Sequence, residues 1–210
     1  MTTFPNAIEM LDRQLLFLIN GAHTPFLDQA MWLLTKVLPW LGLLVSVIVL
    51  IWLGYRKKSW KVLLVVVLSL SLSDLISSSI IKPLVKRPRP THNIEIRDRV
   101  RCHVYPDGRE YRGGPYSFVS SHAANSTTLA IMLFFFLKKY CKRKYLLAIV
   151  LTLFVFVFCY TRVYLGVHYP SDIVCGCLLA VALCIPIKAY IKRHPDFYTD
   201  NLITTYIYIF

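Results

Sequence analysis

The chain has 210 residues, of which 56% are hydrophobic, and a formal net charge of +13. Its length fits one domain. The apolar residues form long runs instead of alternating with polar residues, which argues against a soluble protein and predicts a membrane protein. The basic residues lie between those runs, so the charge indicates membrane topology and anionic lipid. Nucleic-acid binding is not favoured, because the sequence contains no nucleic-acid-binding motif.

The first 25 residues predict an amphipathic helix that lies in the membrane interface. Apolar residues recur there at helical spacing, with charged residues between them. These apolar residues are Ile8, Leu11, Leu15 and Ile19. Asn20-Gly21 would end the helix. The segment lacks the basic start and cleavage site of a signal peptide, and its uncharged run is too short to favour a sixth span.

Five later runs approach the length of about 20 apolar residues that a helix needs to cross the hydrocarbon core. They are Met31–Leu53, Trp60–Ile81, Ala123–Leu137, Tyr145–Tyr164 and Pro170–Ile191. The third run is short, so its start would lie below the lipid headgroups. The predicted fold class is therefore all-α. We expect a single domain over residues 1–210, a polytopic membrane helical bundle of about five transmembrane helices plus the N-terminal interfacial helix.

Three basic segments would fall on one side of a membrane crossed five times. They are Tyr55–Lys61, Lys138–Lys144, and the end of the last span with the tail over residues 192–210. The positive-inside rule makes this side cytoplasmic. The N-terminal helix, the loop over residues 82–121 and the connection around His168 would then face the periplasm of a bacterial inner membrane. The long loop is also rich in arginine, and an anionic substrate would be one reason for that.

The cysteines predict neither a disulfide framework nor a metal site. Four of the six lie inside predicted spans, where thiols pack as small apolar groups. Cys175 and Cys177 are separated by a single residue, which is the wrong spacing for a zinc pair.

The first segment with candidate chemistry follows the second span and reads Lys82-Pro-Leu-Val-Lys-Arg-Pro-Arg89-Pro90. Its prolines should prevent a regular helix, so we expect the segment to run rigidly along the interface. Lys82 and Arg89 could then hold one phosphate from two sides, the lysine as a point charge and the arginine as a planar fork of donors. The alternative is that both cations simply extend to the membrane surface.

The second segment, Ser120-Ser121-His122, begins the third span. Serine is a favoured helix N-cap, and the free N–H groups and dipole of a helix start bind anions. His122 would lie beside such an anion and could donate a proton to a leaving oxygen as a general acid. Taken alone, this string is explained as well by capping and an interfacial histidine.

The third segment is Arg162-Val-Tyr-Leu-Gly-Val-His168-Tyr-Pro-Ser-Asp172. Pro170 suits a first helical turn, so His168 and Asp172, four residues apart, can meet across the helix start. A carboxylate bonded to one imidazole nitrogen makes the other nitrogen a better nucleophile. Arg162, near the end of the fourth span, can direct its guanidinium towards the His168–Asp172 pair. A purely structural His–Asp pair is the alternative. The three segments together favour cleavage of a phosphate ester by way of a phosphohistidine.

The three segments resemble the signature of the type 2 phosphatidate phosphatase superfamily, which also includes vanadium haloperoxidases. That signature is Lys-x6-Arg-Pro, then Pro-Ser-Gly-His, then Ser-Arg-x5-His-x3-Asp. In this chain Val119, Ser121 and Thr161 replace the proline, the glycine and the second serine of the pattern. The resemblance extends over residues 60–190.

The resemblance implies a role for each matching residue. His168 would be the nucleophile, Asp172 its partner and His122 the general acid. Five residues would bind the phosphate, namely Lys82, Arg89, Ser120, Ser121 and Arg162. The phosphatase activity of the family needs no metal, and the sequence offers no metal cluster, so no cofactor is expected.

The predicted function is hydrolysis of a lipid phosphate or pyrophosphate monoester at the periplasmic face. Undecaprenyl pyrophosphate, lipid A, phosphatidylglycerol phosphate and phosphatidic acid remain open as substrates, and the loop Thr91–Tyr116 is expected to shape the choice of headgroup. One alternative is a lipid phosphotransferase that uses the same site. Another is a non-enzymatic protein that binds or transports anionic lipid through the arginine-rich loop. A haloperoxidase function, which also occurs in this superfamily, is not favoured, because that chemistry does not require five apolar spans.

Asp74 is a separate candidate, because a carboxylate inside a span is often functional. It lies in a serine-rich stretch, which favours hydrogen bonding between helices, with Asn125 and Ser126 as candidate partners. It should lie too many turns before Lys82 to touch the phosphate.

Overall fold

A computed structural model describes residues 6–36 and 41–198. These residues form helices and one two-stranded antiparallel ribbon. The helices are α1 Asn6–Gly21, α2 Pro25–Leu34, α3 Leu41–Tyr55, α4 Ser59–Asp74, α5 Lys82–Val85, α6 Ser121–Leu137, α7 Lys144–Tyr164 and α8 Pro170–Arg193. The strands are β1 His103–Val104 and β2 Glu110–Tyr111. Most of the predicted cytoplasmic tail, from residue 199 onward, lies outside the described residues.

Three stretches of the described residues are long and apolar enough to cross a membrane. They are Leu44–Val85, Lys144–Tyr164 and Pro170–Arg193. The first contains most of α3 and all of α4 and α5, and the turn Arg56–Lys58 divides it, with Arg56 at a φ of 46°. Helix α6 is apolar but has only 17 residues, which is about 26 Å at the usual helical rise. The prediction of an all-α membrane protein is confirmed, and so is the shortness of the third run.

The first predicted span, Met31–Leu53, is wrong as a single helix. Helix α2 ends at Leu34 and α3 begins at Leu41. The sequence explains this interruption through Pro39, because proline removes a backbone donor and disfavours helical geometry in the residue before it. Helix α2 instead packs against α7.

The proline-rich segment is also more helical than predicted. A π-helical stretch, Leu75–Ile81, joins α4 to α5, so the helix continues through Pro83 as far as Val85. Pro83 directly follows the change from π-helical to α-helical geometry at Lys82. The irregular segment begins only at Lys86, whose φ of 51° ends the helix. Such π-helical insertions are frequent at functional sites.

Helix α6 lies in the middle of the bundle and packs against α4, α7 and α8. Close packing is what holds helices together in lipid, because lipid tails are as apolar as leucine. Helices α6 and α8 approach each other closely at Gly176, where a Cβ atom would lie 2.6 Å from the backbone oxygen of Ser120. One turn away, the N–H of Ser120 donates to the carbonyl oxygen of Asp172 at 3.0 Å. The N-terminal ends of α6 and α8 therefore lie side by side.

The N-terminal helix forms where it was predicted, but its buried side differs from the expected apolar face. Asp12, Leu16 and Asn20 are buried where α1 packs on α7 and α8. Ile8 and Leu11 are exposed instead. Because these positions are spaced by about one helical turn, one stripe of α1 contacts the protein and an apolar stripe remains for lipid. The position of α1 in the membrane interface stays a prediction.

The basic connections meet at the end of the bundle opposite the N-terminal ends of α6 and α8. Lys58 Nζ donates to the backbone oxygen of Asp196, after α8, at 2.8 Å. Lys139, after α6, lies 4.4 Å from the ring centroid of Tyr55. The three basic segments therefore occupy one end of the molecule.

Candidate active site

The third segment brings its histidine and its carboxylate together. His168 Nδ1 lies 3.5 Å from Asp172 Oδ2, and the two side chains are 1% and 0% exposed. His168 lies in the short connection between α7 and α8, and Asp172 lies in the first turn of α8. Asp172 Oδ2 accepts a hydrogen bond from the backbone N–H of Tyr169 at 2.9 Å, whereas His168 Nδ1 has no hydrogen-bond partner within the described residues. This bond caps the helix and holds the carboxylate against the ring.

The contact with Arg89 indicates which nitrogen of His168 carries the lone pair. Arg89 Nη1 lies 3.3 Å from His168 Nε2. A guanidinium can only donate, so Nε2 must accept, and the single proton of the neutral ring is then on Nδ1, towards Asp172. Burial, followed by the neighbouring cations led by Arg89, holds the pKa of His168 well below its ordinary value of 6.5. The ring is therefore neutral, and Nε2 carries the lone pair that accepts from Arg89.

A second arginine of the first segment, Arg87, holds the opposite side of Asp172. Arg87 Nη1 donates to Asp172 Oδ1 at 2.7 Å and to Ser171 Oγ at 2.8 Å. Arg87 Nη2 donates to Asp12 Oδ2 of α1 at 2.7 Å. Burial by itself would lower the pKa of Arg87, but the two carboxylates outweigh burial and raise it. The sequence analysis missed both Arg87 and Asp12. Their contacts join α1, the first segment and α8, which are far apart in the chain, so no local spacing indicates them.

The second segment contacts the first at the start of α6. Ser120 Oγ accepts from the backbone N–H of Ala123 at 3.3 Å and so caps the helix. Ser121 Oγ accepts from Lys82 Nζ at 2.5 Å and pairs with Ser78 Oγ at 2.8 Å. The first N–H groups of α6 have no partner within the helix and, with the helix dipole, favour an anion. The serine that replaces the family glycine is therefore fixed by the lysine of the first segment.

His122 belongs to the same cluster of charges, although it is less buried than His168. Its ring stacks on Phe158 with a centroid separation of 5.5 Å. Electrostatic interactions connect His122 with His168 and with the cations Arg162, Lys82 and Arg89. The two histidines therefore lie at the same end of the bundle, where α6 and α8 begin.

Arg162 is buried at the end of α7 and is held by two hydroxyl groups. Its Nη1 donates to Thr35 Oγ1 at 2.5 Å, and its Nη2 donates to Tyr111 Oη at 2.9 Å. Its Nε has no hydrogen-bond partner among residues 6–36 and 41–198. These partners are neutral, so they satisfy donors without balancing the positive charge.

Arg162 shares this lack of a counter-charge with Lys82 and Arg89. None of the ion pairs within the described part of the chain includes any of these three residues. Burial, and then the neighbouring Arg162, lower the pKa of Arg89 to about 10. Three partly or fully buried cations without carboxylates are costly unless an anion joins them. The site is therefore suited to an oxyanion.

The arginines of the long loop, in contrast, have partners of their own. Four of them form ion pairs, namely Arg97–Asp98, Arg101–Asp28, Arg109–Asp107 and Arg112–Glu110. The guanidinium of Arg99 lies 4.3 Å from the ring centroid of Phe17. Each of these arginines therefore has a partner within the protein, and the role of the loop in the choice of headgroup stays a prediction.

Asp74 is connected to the site through hydroxyl groups. Asn125 Nδ2 donates to Asp74 Oδ1 at 2.9 Å, and Ser78 Oγ donates to the same oxygen at 3.2 Å. Ser78 in turn contacts Ser121. The predicted contact with Asn125 is confirmed, whereas Ser126 instead donates to a backbone oxygen of its own helix.

One known protein family matches most of the chain. The PAP2 superfamily matches residues 58–196, and the chain belongs to this superfamily, in its bacterial membrane lipid phosphatase branch. The predictions of a hydrolase acting on lipid phosphates and of a multi-pass membrane protein are confirmed at this level.

Two similar proteins carry the name lipid A 4'-phosphatase. The protein from Bacteroides thetaiotaomicron is 37% identical over 174 residues, which cover 80% of this chain and 72% of that protein. The protein from Porphyromonas gingivalis is 33% identical over 178 residues, which cover 83% of this chain and 70% of that protein.

Two crystal structures are similar in fold. The PAP2 type phosphatidylglycerolphosphate phosphatase from Bacillus subtilis has a TM-score of 0.68 and 22% identity, covering 90% of this chain and 89% of that one. At that identity the likeness shows the fold alone. Aquifex aeolicus LpxE has a TM-score of 0.58 and 26% identity, covering 86% of this chain and 95% of that one.

Proposed function

We propose that this protein removes the 4'-phosphate of lipid A by hydrolysis. The observation that carries this proposal is the similarity to two lipid A 4'-phosphatases, at 37% and 33% identity over most of each chain. The site agrees with such a substrate, because a phosphate monoester is an anion with several oxygens. Lys82, Arg89 and Arg162, which have neutral partners, would each gain a counter-charge when it binds.

His168 is the proposed nucleophile, and the position of its lone pair supports this role. Nε2 attacks phosphorus and forms an N–P bond while the bond from phosphorus to the sugar oxygen breaks. His122 donates a proton to that leaving oxygen. Water then gives a proton to His122 and attacks the phosphohistidine, which releases phosphate and restores the free imidazole.

Charge stabilisation is the main catalytic contribution expected for phosphoryl transfer. The proposed cations and the first N–H groups of α6 would face the oxygens around phosphorus. Asp172 would stabilise the positive charge that His168 acquires as the N–P bond forms. Ser120 and Ser121 would position the helix start that supplies the N–H groups.

We further propose five membrane crossings, with the active site facing the periplasm of the bacterial inner membrane. The crossings would be α3, α4 together with α5, α6, α7 and α8. The separation of the three basic segments from the candidate site supports this orientation, because cytoplasmic connections carry an excess of lysine and arginine. The acyl chains of the substrate would remain in the outer leaflet while the headgroup enters from the side.

The direct test measures phosphate release in detergent from lipid A, phosphatidylglycerol phosphate, undecaprenyl pyrophosphate and phosphatidic acid. We expect lipid A to be the best substrate, with mass spectrometry showing loss from the 4' position, and no release by His168→Ala. A better rate with another of these lipids would overturn the substrate assignment. Transfer of the phosphoryl group to an acceptor lipid would favour the phosphotransferase. Lipid binding without turnover, unchanged in His168→Ala, would favour a non-enzymatic protein.

A further inference from the structure

The proposed partner of the nucleophile, Asp172, belongs to a buried charge network that reaches the N-terminal helix. Arg87 lies between two carboxylates, with Asp172 Oδ1 and Asp12 Oδ2 each 2.7 Å from a different terminal nitrogen. The side chains of Arg87 and Asp12 are 5% and 4% exposed. Such a shielded network is weakly screened by solvent, so each of its charges acts strongly on its neighbours.

We propose that Asp12 is a positioning residue for the reaction, which acts through Arg87 and Asp172 to orient His168 and to stabilise its charge during attack. This inference rests on the proposed phosphatase function. Asp12 lies outside residues 58–196, the part of the chain that the superfamily matches. The contribution therefore comes from a helix that precedes the matched region.

The charge balance of the network gives the physical reason. Arg87 alone with Asp172 would form a neutral pair, and the carboxylate would have little net charge left to stabilise His168. Asp12 adds a second carboxylate, so the network of two carboxylates and one guanidinium keeps a net negative charge. His168 becomes positively charged as its Nε2 bonds to phosphorus. The extra charge of Asp12 is therefore most stabilising in the transition state, which is the condition for a catalytic effect.

The hydrogen bonds of α1 give the geometric reason. Asp12 Oδ1 accepts from the backbone N–H of Ser171 at 2.8 Å, and Asp12 Oδ2 accepts from Ser171 Oγ at 2.5 Å. Two turns later on α1, Asn20 Nδ2 donates to the backbone oxygen of Tyr164 at 2.7 Å. Helix α1 therefore holds both ends of the connection that carries His168.

Between these two contacts, the same face of α1 packs on the connection itself. Leu16 is fully buried in a cluster with Tyr169 and Val163. The nucleophile segment is thus fixed by two polar contacts with an apolar contact between them. Helix α1 therefore places a buried carboxylate, paired with Arg87 and Ser171, at one end of the connection that carries His168.

The test uses Asp12→Asn in the full-length protein in detergent, because asparagine keeps the shape and removes the charge. We expect kcat for phosphate release from lipid A to fall about 10- to 100-fold, the range known for carboxylates that support metal-bound histidines, with KM nearly unchanged. Inhibition by vanadate, which mimics the five-coordinate transition state, should weaken by a similar factor. The control is Glu9→Gln, which removes a carboxylate of α1 that pairs with Arg13 and should leave kcat unchanged.

A double-mutant cycle separates positioning from mere packing of α1. In an Arg87→Gln background, Asp12→Asn should lower kcat by a much smaller factor than in the wild type, since the hydrogen-bonded connection to Asp172 is already broken and only the direct effect of the Asp12 charge remains. Equal losses in both backgrounds would overturn the proposal, as would a wild-type kcat for Asp12→Asn. If Asp12→Asn cannot be isolated folded, the test uses Ser171→Ala, which removes a hydrogen bond to Asp12. We expect a several-fold lower kcat with unchanged KM for this variant. An unchanged kcat would overturn the proposal.

His168→Ala, measured in the same assay, separates this inference from the proposed function. Activity in His168→Ala would refute the phosphatase mechanism as a whole. An inactive His168→Ala together with a fully active and stable Asp12→Asn would refute only the role of Asp12.

Discussion

The two halves of the candidate site are held in different ways. On one side, His168 and Asp172 are buried and Arg87 binds the carboxylate through charge. On the other side, His122 and Lys82 are partly buried, and the lysine contacts a hydroxyl group. Buried ion pairs fix a geometry before substrate binds, whereas contacts with hydroxyl groups are less costly to rearrange. We therefore expect the proposed nucleophile to be preorganised, and the half that contains the proposed acid to rearrange more readily when substrate binds.

The same contrast separates two arginines that are only two residues apart. Arg87 has two carboxylate partners, whereas the partners of Arg89 are His168 and backbone oxygens. Arg87 is therefore neutralised within the protein, and Arg89 keeps its charge for an anion. The Arg-Pro-Arg-Pro sequence thus supplies one arginine to support the carboxylate and one to the proposed phosphate site.

The largest effect should follow from a substitution of Asp172, in the half of the site that contains His168 and Arg87. Asp172→Asn keeps the size of the side chain but removes the charge that would stabilise His168. We expect kcat to fall by about four orders of magnitude, as for the equivalent change in other histidine–carboxylate pairs. Phosphate release under saturating lipid A measures it. The control is Asp98→Asn, an exposed loop carboxylate. An Asp172→Asn enzyme within tenfold of wild type would contradict the account.

Comparison of Arg89→Gln with Arg87→Gln should sharpen the distinction between the two arginines. Arg89→Gln removes a cation from the phosphate site, so kcat/KM should fall about 100- to 1,000-fold and inhibition by inorganic phosphate should weaken. Arg87→Gln should lower kcat while inhibition by inorganic phosphate changes little. If both variants weakened phosphate inhibition equally, the assignment of separate roles would be wrong.

The pH dependence of kcat/KM tests the neutral state of the proposed nucleophile. The pKa of His168 is held well below 6.5 by burial and by the cations Arg89, Arg162 and Lys82. The reactive form is neutral, so activity should persist below pH 6.5 and fall only when the pH drops through this lowered pKa. Removing the charge in Arg89→Gln should raise the pKa and move the acid limb to higher pH. A wild-type acid limb centred above pH 6.5 would argue against the assignment.

The smallest effect should come from Asp74, which is connected with Lys82 through the hydroxyl groups of Ser78 and Ser121. Asp74→Asn weakens hydrogen bonds worth about 1 kcal/mol each and leaves every proposed catalytic group in place. We expect kcat/KM within about threefold of wild type, together with a slightly lower Tm. A loss of 100-fold or more would show that Asp74 takes part in the reaction.

Features that depend on a local sequence pattern could be predicted from the sequence alone. The predicted run Tyr145–Tyr164 differs by one residue from α7, and three motifs identified the groups that meet at the starts of α6 and α8. The break inside Met31–Leu53 was missed because apolar composition continues across it. The arginine-rich loop suggested a substrate, although its carboxylate partners are mostly neighbours in the same loop.

Other features depend on contacts between distant parts of the chain. Asp12 looked like a charge that interrupts an apolar helix, because its partners Arg87 and Ser171 lie far along the chain. A periodic pattern in the sequence cannot indicate a contact between residues so far apart. The one visible signal was a second arginine, beside Arg89, in a proline-rich segment that already contained a candidate phosphate ligand.

The most direct test of the account is to identify the covalent intermediate. Lipid A labelled with ³²P at the 4' position would be mixed with the protein, and the reaction would be stopped in alkali, which preserves phosphohistidine. We expect an acid-labile label on the peptide that contains His168, and neither label nor phosphate release with His168→Ala. A label on another residue, or sustained phosphate release by His168→Ala, would contradict the central claim.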